Sequence, residues 1–406
     1  MRVEIRPGLA RGSAAAPPSK SYAHRLLIGA ALADGESRLT RIGENQDILA
    51  TEDGLRALGA EIRREGEVTV VRGTGQTIRG GGTLPCRESG STLRFLIPVS
   101  LLGGGGDFTG AARLMERGAG VYTTALPAHG ATVTAGNGII RARGTLRPGD
   151  YRLPGNISSQ YISGLLFALP LLPGESRLTV VPPFESRPYA DMTLGVLADC
   201  GITVREEGDG VYHIPGHQHY RSLRADVEGD WSGAAFLFAL RALGGDVRVT
   251  GLRQDSRQGD RICLTYLRRL EQPGAVLDVS ECPDLAPVLF AVAAASHGAV
   301  FTGTRRLALK ESDRAAVMAG ELSLFGAHVI CAPDRVTVLP APLHAPTRPL
   351  SGHNDHRVVM ALSVLATRTG AVLDGAEAVS KSFPDFFSVL ASLGISLALS
   401  PSPEPV

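Results

Sequence analysis

The feature that most limits how this chain can fold is that it repeats itself six times. Six segments open on small or polar residues, run apolar for about three turns and stop at a glycine: Ser21 to Gly35, Ser91 to Gly103, Ser158 to Gly174, Asp230 to Gly244, Asp284 to Gly298 and Asn354 to Gly370. Polar N-caps and glycine C-caps mark these as helices. Short alternating stretches follow most of them, such as Ser176 to Val180 and Asp246 to Thr250, and read as strands with one buried face. A second helix then ends at Gly59, Gly130, Gly201, Gly274, Gly326 or Gly394, positions separated by 71, 71, 73, 52 and 68 residues. Only the fifth unit is short.

The unit is therefore helix, strand, helix, strand and a further strand, a building block of the α/β (α+β) class. Six units divide as three plus three, and 406 residues exceed what one core usually serves, so two domains are expected. Residues 16–225 hold the first three units. Residues 226–406 hold the rest, joined by residues 1–15, because Arg2 to Arg6 alternates like a strand ahead of the first unit. The first helices are apolar nearly all round, as in Leu165 to Leu169, and belong inside each domain; the second helices carry charge and belong outside. The tail from Pro401 to Val406 is expected to fray.

Charge narrows the function. Lys plus Arg number 41 and Asp plus Glu 40, a net charge of +1, so no global field recruits nucleic acid or an anionic membrane. Any anion site must gather its cations locally. The five cysteines, Cys86, Cys200, Cys263, Cys282 and Cys331, are far apart and form no C-x-x-C pair, which points to reduced, buried thiols rather than a disulfide frame or zinc site. His213, His217 and His219 share a Pro-Gly loop without further ligands, so no metal is expected there. Gly103 to Gly106 lacks the Lys-Ser/Thr of a nucleotide loop, and Gly73-Thr74-Gly75 leads into no long helix. The N-terminus lacks a signal-peptide stretch and no segment reaches the roughly 18 apolar residues of a membrane span, so a soluble, cytoplasmic monomer is expected.

The clustered cations lie at helix starts, where free N–H groups and the positive dipole end already favour anions. Lys20, Ser21 and Arg25 fall within about one turn of the first helix. Ser89-Gly90-Ser91 puts a glycine and hydroxyls at the second, where backbone could approach a phosphate. Ser158-Ser159-Gln160 heads the third with more hydrogen-bonding groups than one cap requires. Lys310-Glu311-Ser312-Asp313-Arg314 reads as the opening of a helix with Lys310 and Arg314 on one face. Arg357 sits in the first turn of an apolar helix, where the dipole disfavours a cation, and this points to a ligand anion there. Taken singly, each also reads as a solvated face or an ordinary cap.

Together these segments, with Ser186-Arg187-Pro188-Tyr189, Gln258-Gly259-Asp260 and Lys381-Ser382-Phe383-Pro384, resemble the EPSP synthase family of enolpyruvyl transferases from about Pro17 to Pro384. The resemblance implies two domains, each of three βαβαββ units arranged as an inverse α/β barrel, with the active site in the cleft between them. It implies transfer of the enolpyruvyl group of phosphoenolpyruvate to the 5-hydroxyl of shikimate 3-phosphate by addition and elimination, in aromatic amino acid biosynthesis, without metal or organic cofactor. Shikimate 3-phosphate would meet Lys20, Ser21, Arg25, Ser158, Ser159, Gln160, Ser186, Tyr189, Asp284 and Lys310. Phosphoenolpyruvate would meet Lys20, Gly90, Arg117, Gln160, Arg314, Arg357 and Lys381. Asp284 would take the hydroxyl proton and Glu311 would protonate the methylene, with Lys20 assisting, so Glu311 is expected to stay neutral at working pH. Domain closure on binding, hinged near residues 15 and 226, is also implied.

Three positions depart from the family pattern: Glu88 stands where many relatives carry Asn, Trp231 where a small residue is usual, and Gly118 rather than Pro follows Arg117. The sister transferase acting on UDP-N-acetylglucosamine shares fold and chemistry but uses a loop cysteine, and residues 103–120 contain none. A non-catalytic relative is the remaining alternative.

Overall fold

The computed structural model describes residues 1–75 and 77–401; residues 402–406 of the tail expected to fray lie outside the described residues. The chain divides into two units, Met1–Pro17 with Gly229–Val406, and Pro18–Glu228. The two crossings fall slightly later than expected because of backbone pairing. Arg224–Asp226 is still a strand of the Pro18–Glu228 unit, parallel to Arg38–Thr40, and Ser19 N–H donates to Glu228 O at 2.8 Å. On the other side, Ala16 N–H donates to Thr250 O and Asp230 N–H to Pro17 O.

In the Pro18–Glu228 unit, helices Lys20–Leu32, Gly90–Ser100 and Ser159–Ala168 form the centre. They are buried almost all round, as their unbroken apolar sequences require. Three four-stranded sheets cover them. In each, two strands pair in parallel and a hairpin completes the sheet antiparallel, as in Asp150–Pro154, Ser176–Val181, Val211–Ile214 and Arg205–Gly208. Arg224–Asp226, from the third repeat, opens the first repeat's sheet, so the unit closes on itself through separate sheets rather than one continuous hydrogen-bonded barrel.

The other unit repeats this plan with helices Trp231–Ala242, Ala286–Ala294 and His356–Thr369 at its centre. Arg2–Ile5 lies between Ala371–Asp374 and Leu397–Ser400, antiparallel to both, with Val3 and Ile5 buried. The short repeat also has a structural cause. After Gly274 the chain runs through the single strand Val276–Asp278 straight towards Ala286–Ala294, without the hairpin that follows the other second helices of repeats one to five. The sheet of Asp246–Thr250 and Arg11–Ala15 consequently stays two-stranded. Cys86, Cys200, Cys263 and Cys282 are buried free thiols, whereas Cys331 is exposed. Among the described residues no helix is long and apolar enough to cross a membrane.

Candidate active-site clusters

In the Pro18–Glu228 unit, Ser19 caps the helix that begins at Lys20 by accepting from Tyr22 N–H. Lys20 Nζ lies 2.7 Å from Asp47 Oδ2, with both side chains largely covered. Arg25, one turn further on, is buried and bonded to the frame through all three of its nitrogens. Its Nη1 donates to Ser21 O (2.7 Å), Nη2 to Tyr189 O (2.8 Å) and Nε to Thr193 Oγ1 (2.8 Å), and the guanidinium lies 5.1 Å from the Phe95 ring centroid. Burial lowers its pKa to about 10, against the opposing influence of Tyr189 and Tyr22. Arg25 thus ties the first-helix start to the start of helix Arg187–Asp199, whose cap residue Ser186 has a φ of 55°.

The second and third central helices meet at their N-terminal ends. Ser158 caps the third, its Oγ accepting from Gln160 N–H at 3.3 Å, and Ser159 is buried. Gln160 reaches across to Ser91 Oγ (3.0 Å) and receives Arg94 Nη1 on its Oε1 (2.6 Å). A Cβ on Gly90 would stand 2.8 Å from Arg94 Nη1, 3.5 Å from Gln160 Oε1 and 3.6 Å from Arg117 Nη2. Gly90, Arg94, Arg117 and Gln160 therefore form one polar group around a backbone left bare by glycine. Gly118, at φ 59°, accepts from Arg94 Nη2 at 3.3 Å and from the Tyr161 hydroxyl at 3.2 Å. Proline, fixed near −65°, cannot take that conformation, so the family departure at 118 belongs to this local geometry.

In the other unit, Asp284 is the hub. Its Oδ1 lies 2.8 Å from Arg314 Nη1 and 3.2 Å from Lys310 Nζ, and its Oδ2 lies 3.1 Å from Arg357 Nη2. Burial disfavours the charged carboxylate, but Arg357, Lys310 and Arg314 outweigh it and hold the Asp284 pKa well below the usual range. Lys310 is shifted down by burial and by Arg314 and Arg306, against Asp284. Arg314, despite its burial, is held firmly charged by Asp355, Glu311 and Asp284. Arg314 Nη2 also lies 2.7 Å from Glu311 Oε2, and Lys381 Nζ donates to Asn354 O at 2.5 Å. Arg357, expected to face a ligand anion, already has the protein's own Asp284 carboxylate beside it.

One local expectation is corrected. Lys310 and Arg314 do not share a helix face, because Lys310 to Ser312 precede a helix that spans Arg314–Ser323. Asp313 interrupts them by capping that helix through Ala316 N–H, yet both cations still converge on Asp284. Glu311, expected to act as a neutral acid, has Oε2 2.7 Å from Arg314 Nη2. Sequence reasoning passed over Asp47, Arg94, Ser312 and Asp355 as members of these clusters. Arg94 was signalled by its place one turn after Gly90, and Asp355 by its capping position before Arg357; Asp47 had no local signal. Trp231 is buried, donating through Nε1 to Arg253 O at 3.2 Å, while its own N–H donates to Gln258 Oε1 at 3.0 Å. Among the described residues there is no group of three or more His, Cys, Asp or Glu arranged to hold a metal ion.

Residues 7–390 match the family described as EPSP synthase (3-phosphoshikimate 1-carboxyvinyltransferase). The chain is 37% identical, over an alignment 419 positions long, to a 3-phosphoshikimate 1-carboxyvinyltransferase of Clostridium kluyveri, covering 97% of each chain. It is 35% identical, over an alignment 422 positions long, to that of Clostridium beijerinckii, again with 97% of each chain covered. Its structure superposes on an EPSP synthase from Acinetobacter baumannii with a TM-score of 0.82 at 25% identity, over 98% of this chain and 100% of that one.

Proposed function

The chain belongs to the EPSP synthase family, the 3-phosphoshikimate 1-carboxyvinyltransferases, and from that premise we propose that Asp284, Glu311 and Lys20 carry its chemistry. The enzyme transfers the enolpyruvyl group of phosphoenolpyruvate to the 5-hydroxyl of shikimate 3-phosphate in the shikimate pathway. On this reading Ser21, Arg25, Ser158, Ser159, Gln160, Ser186, Tyr189 and Lys310 serve shikimate 3-phosphate, together with Lys20 and Asp284. Gly90, Arg117, Gln160, Arg314, Arg357 and Lys381 serve phosphoenolpyruvate, together with Lys20. Both substrates are multiply charged anions, and the grouped guanidinium and ammonium groups match that demand.

The observation that carries the reading is the convergence of Lys310, Arg314 and Arg357 on the single carboxylate of Asp284, beside Glu311. Asp284 is ionised and able to accept the hydroxyl proton, but three cations make it a weak base. Anionic substrate drawing Arg314 and Arg357 towards itself would raise that basicity. The same shift would release Glu311 from Arg314 and let it take up the proton it must deliver. In the addition the 5-hydroxyl oxygen bonds to the enol carbon while the methylene gains a proton; in the elimination the methyl group loses a proton and phosphate leaves. Arg25 acts by fixing the Ser21 and Tyr189 backbones as well as by its charge.

Phosphate release from phosphoenolpyruvate should be measured with shikimate 3-phosphate and, separately, with UDP-N-acetylglucosamine. Release with the former alone, abolished in Asp284→Ala, supports the assignment. Undiminished release by Asp284→Ala removes Asp284 from the mechanism.

A further inference from the structure

The turn before helix His356–Thr369 is built from residues in a conformation that side chains ordinarily avoid. His353 and Asn354 are consecutive left-handed residues, with φ of 48° and 52°. Such a backbone persists only where its surroundings over-determine it. Here Glu321, 8% exposed, places Oε2 on Ser351 N–H at 3.1 Å and Oε1 on His353 Nε2 at 2.8 Å. Gly352 N–H donates to Asp374 O, and Asp355 N–H to Gly352 O. A Cβ at Gly352 would approach Val359 Cγ2 to 2.6 Å, so the turn is pressed against the helix it introduces.

The turn also carries contacts of the cationic cluster. Asn354 O receives Lys381 Nζ, and Asp355 accepts from Arg314 Nε (2.9 Å), Ser312 Oγ (3.0 Å) and Arg357 N–H (3.0 Å). Glu321 stands seven residues after Arg314 in the same helix, which returns it to the same face two turns on. One helix face thus presents both the cation that Asp355 orients and the carboxylate that pins the turn.

We propose that Glu321 is a positioning residue for phosphoenolpyruvate binding: it fixes the Ser351–Asn354 turn, which in turn aims Lys381, Arg314 and Arg357. This rests on the assignment of those three cations to phosphoenolpyruvate. His353 is the second half of the clamp.

The test compares Glu321→Ala, Glu321→Gln, His353→Ala and Lys381→Met in the full chain, reading kcat, KM for each substrate and thermal unfolding. Glu321→Ala should raise KM for phosphoenolpyruvate about tenfold, equivalent to ~1.4 kcal/mol, and leave KM for shikimate 3-phosphate unchanged. Glu321→Gln, whose amide can still accept from Ser351 N–H and donate to His353, should restore most of the loss. His353→Ala should give a smaller rise and carries the test if Glu321→Ala does not fold. Lys381→Met separates the two ideas: an unchanged KM there overturns the substrate assignment. A raised KM in Lys381→Met with wild-type values in the folded Glu321 and His353 variants overturns the clamp. So does a rise in both substrates' KM that merely tracks lost stability.

Discussion

Arg314 and Asp355 hold each other through two hydrogen bonds, Nε to Oδ2 at 2.9 Å and Nη2 to Oδ1 at 3.3 Å, with side-chain exposures of 1% and 0%. Asp355 also caps the helix that carries Arg357. Asp355→Ala removes one of the three carboxylates around Arg314 and the cap on Arg357 N–H, while Asp284 and Glu311 still compensate the guanidinium, so it should cost about 1–3 kcal/mol. Asp355→Asn, which can retain the cap, should cost less. Denaturant unfolding of the two variants checks this; equal losses would mean that the charge contributes nothing beyond the cap.

Glu311→Gln should lower kcat by about 10²–10⁴, the usual range for a lost general acid. Binding of shikimate 3-phosphate, measured by calorimetry, should stay close to wild type. Retained turnover would exclude Glu311 from protonating the methylene.

At Gly90 the expected change is selective. An alanine methyl would stand 2.8 Å from Arg94 Nη1 and force the flexible end of that side chain aside. Gly90→Ala should therefore raise KM for phosphoenolpyruvate about tenfold, or ~1.4 kcal/mol, without lowering the unfolding temperature. A change confined to shikimate 3-phosphate would place Gly90 at the other substrate.

His24 gives a pH dependence with a definite sign. Its ring is buried, with Nδ1 2.7 Å from Thr51 Oγ1, and burial, Lys20 and Arg25 all push its pKa well below the ordinary value. The unfolded chain takes up a proton near pH ~6.5 that the folded one refuses. Stability should be level above that pH in respect of His24 and fall as the pH drops below it. His24→Gln should flatten the decline on the acid side. Parallel urea-unfolding profiles for the variant and the wild type would refute this.

Much of the architecture was legible because it was written six times. The capped apolar helices and their glycine stops recur too regularly to be local accidents, and Arg2–Ile5 showed its pairing habit by alternation. Clusters were harder to read, for a physical reason. Spacing along a helix reveals which residues share a face, but the Lys310 to Arg314 stretch is broken by a cap at Asp313, and its two cations meet through Asp284, far away in sequence. Asp47 is similar: only the packing of helix Gln46–Ala57 beside the first helix brings it to Lys20. Gly118 shows the converse case, a departure from family pattern that becomes intelligible once its backbone angle is known.

The hairpin missing after Gly274 marks where this architecture can be edited. Residues 271–274 are exposed and open space surrounds Gly274, although its φ of 74° requires that the glycine itself be kept. The three central helices of that unit keep their shared core although one sheet has only two strands. The loop is thus a vacant socket in an otherwise periodic design, where a grafted hairpin or a fused reporter would extend the protein without disturbing the helices that carry its chemistry.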